Sequence, residues 1–125
     1  MNTGMRNRGR DYLGERIHDL TLEMRLLREI ALWALDADLK GRADSKLNQR
    51  RILLYLAVRV ERGNLRVTFS VIDLSYDLNI EQRTVRRTLD KLEAQKFISQ
   101  CYTGTVKRKY KIEYVPRNNG ISAGA

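Results

Sequence analysis

Apolar residues in the first forty positions recur at helical intervals. Ile17, Leu20, Met24, Leu27, Ala31 and Ala34 stand alternately three and four apart, which makes a heptad stripe. Leu22, Leu26, Ile30 and Trp33 form a second apolar row on the same stretch, roughly 130° around the helix from the first. A helix beginning at Asp11 or Glu15 and ending near Leu39 is predicted, within a segment 11–40. Two separated apolar rows require two surfaces to pack on. The expectation is that the helix rests on its own domain with one row and on the same helix of a second copy with the other. Ile17, Leu20, Met24, Leu27, Ala31 and Ala34 are the expected dimer seam.

Beyond Gly41 the pattern restarts. Asp44 or Ser45 can cap a helix from Leu47 to about Glu61, with Leu47, Ile52, Leu53, Tyr55, Leu56, Val58 and Val60 as its apolar residues. Gly63 and Asn64 stop it, and Leu65 to Phe69 is short and β-branched enough for a strand. Ser70 can cap a short helix from Val71 to Tyr76, with Val71, Leu74 and Leu78 inward. Asn79, tolerant of a left-handed backbone, makes the turn. A helix from Glu81 to Gln95 follows, with Val85, Leu89 and Leu92 inward. Phe97 to Tyr102 and Val106 to Val115 then read as strands around a hairpin loop, Thr103-Gly104-Thr105. The chain is thus expected to be mainly α with a small β-hairpin, a domain over 44–115 preceded by a long N-terminal helix. Residues 1–10, with Arg6, Arg8 and Arg10, read as a flexible basic arm, and 116–125 as a disordered Gly- and Asn-containing tail.

The stretch from Phe69 to Glu93 adds a specific pattern to that element order. A turn at Asn79 and an apolar Ile80 are followed by Thr84-Val85, two polar positions at Arg86-Arg87, and a Leu89-x-x-Leu92 ending. This resembles the helix-turn-helix core of the winged-helix DNA-binding regulators, the MarR-like group among them. The resemblance covers roughly residues 47–115. Glu81 stands where such families often have Ser or Asp, and Lys96 where many have Gly. The resemblance implies a winged helix-turn-helix domain, here without the long C-terminal dimerisation helices of the MarR-like group.

Charge supports a polyanionic partner. Of the 125 residues 24 are Lys or Arg and 15 are Asp or Glu, a formal net charge of +9, and the pI is about 10.1. Residues 1–46 hold nine basic against eight acidic side chains, and residues 47–125 hold fifteen against seven. The excess therefore falls almost wholly on the second part, as expected of a surface that meets phosphate, an anionic membrane or an acidic partner.

A helix that enters the major groove needs an apolar back and a front of long polar side chains. With Val85, Leu89 and Leu92 inward, the 81–95 helix presents Gln82, Arg83, Arg86, Arg87 and Asp90. Arg pairs bidentately with guanine and Gln with adenine. Thr84 belongs to the same candidate set. The second hairpin strand adds Lys107, Arg108, Lys109 and Lys111. By strand alternation Tyr110, Ile112 and Tyr114 pack on the domain while Lys109 and Lys111 face outward to grip the DNA backbone.

Signals for chemistry are few. His18 has no Cys neighbour with which to form a zinc site or a catalytic pair. Cys101 is the sole cysteine, which leaves no internal disulfide and suits a reducing cytoplasm. No phosphate-binding Gly-rich loop, apolar membrane span or signal peptide is evident. No enzyme activity, metal or cofactor is expected, and an effector is left open. The expected role is that of a prokaryotic or viral transcription regulator, homodimeric on double-stranded DNA. A plasmid or phage replication or partition protein, or a protein-protein assembly module, are the alternatives.

Overall fold

The computed structural model describes residues 21–61, 63–104 and 106–116. The expected basic arm, Ile17, His18, Leu20, Thr105 and nearly all of the expected tail lie outside them. Four helices and a three-stranded antiparallel sheet make up the described chain: α1 (21–36), α2 (Ala43–Ala57), β1 (Arg66–Ser70), α3 (Val71–Leu78), α4 (Gln82–Ala94), β2 (Ile98–Thr103) and β3 (Lys107–Ile112).

Each helix ends where the chain supplies a partner for its last carbonyls. Arg50, on α2, donates to the carbonyls of Ala34, Leu35 and Ala37 and so closes α1 from the side. Gly41, at φ 126°, then reverses the chain. α2 begins at Ala43 rather than Leu47, with Arg42 at its N-cap and no capping side chain. Asp44 lies inside the first turn instead, where its charge complements the helix dipole. α2 also stops at Ala57, short of the expected Glu61. Glu61 N–H donates to the carbonyl of Arg66 across the turn into β1 and leaves the helix ladder.

α3 follows the sequence pattern closely. Ser70 Oγ accepts from the N–H of Asp73, and Asn79 closes the helix at φ 54°, ψ 50°. From α2, Arg51 donates to the carbonyl of Leu78, and Tyr55 Oη donates to Asp77 at 2.7 Å. The turn between α3 and α4 is therefore held from behind by α2. α4 ends in a Schellman closure, with Phe97 N–H donating to Leu92 at 3.0 Å and Lys96 N–H to Glu93 at 2.9 Å. The closing residue is Lys96, at φ 67°.

That left-handed conformation costs a side-chain-bearing residue about 1 kcal/mol or more. Lys96→Gly is expected to stabilise the fold by about 0.5–1 kcal/mol, the relief of strain exceeding the greater unfolded-state freedom of Gly. A rise of a few degrees in thermal midpoint would show it. A fall would mean that the Lys96 side chain contributes more than its backbone costs.

The sheet has the order β1-β3-β2. Pairing β1 with β3, Val67 against Tyr110 and Phe69 against Arg108, was not evident from the local pattern. β3 ends at Ile112, three residues before the expected Val115, and past it a last backbone bond runs from the Glu113 N–H to the Phe97 carbonyl at 2.9 Å. Val67, Ile98, Tyr110 and Ile112 turn one sheet face toward Val85, Leu89 and Leu92 of α4 and Ile52, Leu53 and Leu56 of α2. Ile30 and Ala34 of α1 complete this core, and Trp33 meets Phe97 and Tyr114 edge-on with ring centroids 6.0 Å apart. The buried amide of Gln49 is satisfied by Lys40, Ser45 and Gln95, tying the turn before α2 to the end of α4.

Candidate nucleic-acid interface

α4 has a sharply divided surface. Val85, Thr88, Leu89 and Leu92 are buried, and the hydroxyl of Thr88 is spent on the carbonyl of Thr84. Gln82, Arg83, Arg86, Arg87 and Asp90 are all exposed, while Thr84 is half-buried at the border. No acidic residue occupies the first turn itself, and Glu81 stands at the N-cap without a side-chain capping bond. Arg86 Nη2 donates to Gln82 Oε1 at 3.3 Å one turn earlier.

The basic residues of β3 do not form one group. Strand alternation sends Lys107, Lys109 and Lys111 to the outer sheet face and Arg108 to the inner one, with buried Tyr110 and Ile112. Arg108 Nη1 donates to the Tyr110 hydroxyl at 3.3 Å. Burial pushes the Tyr110 hydroxyl up from its ordinary value, Arg108 draws it back down, and Glu93 and Asp90 of α4 add to the rise. Lys109 is not a free outward cation, since its Nζ lies 3.4 Å from Glu61 Oε1. The Asn64 amide and Lys109 together hold the Glu61 carboxyl below its usual range. The four basic residues of β3 are thus split between two surfaces.

A small hollow of about 90 Å³ lies where α4 meets the hairpin, lined by Val71, Ile72, Arg86, Gly104, Val106 and Arg108. A Cβ at Gly104 would come within 2.8 Å of the Tyr102 hydroxyl and 3.0 Å of the Lys107 carbonyl, so a side chain there would make Tyr102 or the loop shift. The outer sheet face gains a cation that the local pattern did not single out, since the register sets Arg66 directly opposite Lys111. Only strand pairing reveals that neighbour. Cys101 is exposed at an irregularity in β2 between Gln100 and Tyr102, and has no counterpart on β3.

Of the expected dimer seam, Met24 and Leu27 are exposed, at 69% and 40%, and Ala31 is intermediate. Ala34 is an exception. It is fully buried in the chain's own core and is not available to a second copy. Ala34 lies about 40° around the helix from buried Ile30, and Arg50 of α2 holds this end of α1 on the domain through the carbonyls of Ala34, Leu35 and Ala37, while Leu35 on the other side stays exposed. The second row is divided too: Ile30 and Trp33 pack on the domain, whereas Leu22 and Leu26 remain exposed. Leu26 and Leu27 overhang an apolar hollow of about 400 Å³ that also reaches Ile30, Val60, Leu65 and Tyr114.

No family model matches the chain, and no curated protein matches it. Among the described residues no helix is long and apolar enough to cross a membrane, and no three His, Cys, Asp or Glu side chains are grouped to hold a metal ion.

Proposed function

We propose that the chain is a winged helix-turn-helix regulator that binds double-stranded DNA as a homodimer, in the manner of the MarR-like proteins it resembles. The observation that carries this reading is the exposed face of α4. Gln82, Arg83, Arg86 and Arg87 stand out from a helix whose opposite side is wholly embedded. Such a helix can enter a major groove without disturbing its own packing. The turn that orients it is braced by α2 through Arg51 and Tyr55, and the hairpin beside it supplies the wing.

Dimerisation through α1 rests on the outward row Met24, Leu27 and Leu35. Apolar side chains along one helix edge favour pairing with the same edge of a second copy. Two such domains place two α4 helices in successive major grooves, and the simplest regulatory consequence is occlusion of a promoter.

Selection of bound sequences from random duplex DNA tests the reading. An enriched inverted repeat, with half-sites about one helical turn apart, is the expected product. Recovery of no preferred sequence, with binding that vanishes at physiological salt, would instead favour the assembly-module alternative, for which exposed Ile72 and Tyr76 on α3 provide an apolar contact surface.

A further inference from the structure

We propose that Arg86 and Arg108 form a clamp for a single backbone phosphodiester, seated in the hollow between α4 and the hairpin, and that Arg86 therefore positions the DNA and does not read a base. This rests on the DNA-binding reading and divides the labour within it. The two arginines come from different elements, one on the first half of α4 and one on the inner face of β3, yet both line the same hollow of about 90 Å³. Neither is ion-paired with a carboxylate among the described residues. Arg86 has one hydrogen bond to Gln82, and Arg108 one to Tyr110. Each guanidinium carries five N–H donors, so each retains most of its capacity for an anion.

The remaining walls are Gly104 and the aliphatic side chains of Val71, Ile72 and Val106, so the two arginines are the only charged groups that line the hollow. Gly104 brings backbone close on one side, and the first turn of α3 at Val71 and Ile72 offers no acidic side chain to the hollow. Two guanidiniums that line one hollow can share the oxygens of a phosphodiester between them. A guanine edge is planar and can be met in full by one bidentate Arg. Arg83 and Arg87 do not line this hollow and lie further around α4, which leaves them for the base edges.

The test is a scan of the selected duplex in which single phosphates are replaced by neutral methylphosphonate. In the wild-type protein one position per half-site should weaken binding on the order of tenfold, as expected for loss of a charge-assisted contact. That same position should become silent in Arg86→Gln and also in Arg108→Gln. The double variant should lower the slope of log affinity against log salt by about one per half-site, the value for one phosphate. Base preference should be unchanged in all three. Arg86→Gln alters only an exposed side chain, so it decides the matter even if Arg108→Gln unfolds. The proposal is overturned if the two variants silence different phosphates, if Arg86→Gln silences none, or if Arg86→Gln relaxes preference at a base. A wild-type protein that retains no duplex overturns the DNA-binding reading itself, and the clamp with it.

Discussion

With Met24 and Leu27 both replaced by glutamate, the protein is expected to sediment as a folded monomer and to lose nearly all of its affinity for an inverted-repeat site. Met24 is exposed on α1 and Leu27 stands at the rim of the hollow that Ile30 lines, 40% exposed, so neither glutamate is forced into the core and the fold should persist. In a dimer seam the same changes bring like charges together out of water, at a cost of several kcal/mol. DNA affinity follows, because a half-site bound alone is held weakly and the second contact gains from being tethered to the first. That tethering is worth about 10²-fold or more. Analytical ultracentrifugation with circular dichroism checks the first part, and titration of the repeat against a single half-site checks the second. A wild-type protein that is already monomeric at micromolar concentration, with one asymmetric site, would remove the dimer from the proposal.

Truncation of the base-reading arginines is the other large effect. Arg87→Ala and Arg83→Ala are each expected to cost about 1–3 kcal/mol of specific binding and to relax preference at one position of each half-site. The non-specific affinity should change far less, since these side chains are assigned to base edges. Both residues are exposed, and removing them opens no cavity, so thermal stability should stay within about 0.5 kcal/mol of the wild type. Competition titrations with selected and scrambled duplexes give the two affinities. An equal loss on both duplexes would reassign these arginines to the phosphate backbone.

Lys109 illustrates how tertiary context revises a residue's role. As one of a run of cations it suggests a backbone contact. Beside Glu61 at 3.4 Å it has a partner that no sequence spacing indicates, because the two are 48 positions apart and meet only through the turn that leads into β1. Arg108 is adjacent to the lysines in sequence, yet the alternation of a strand sends it to the other face.

Local relations were legible in the residue pattern. The apolar intervals on α1, α3 and α4, the Ser70 cap, the left-handed Asn79 and the polar front of α4 all depend on residues within a turn or two of one another, where backbone geometry alone decides who faces whom. The tertiary structure decided what depends on distant partners. It shortened α2, because the Glu61 N–H bonds to Arg66 across the turn, and it drew β1 into the hairpin sheet. It seated Ala34 in the core where Arg50 of α2 holds the end of α1, and it brought Arg86 and Arg108 to one hollow although 22 positions separate them. Pairing register and helix docking are set by the burial of the whole core, and no local spacing encodes them.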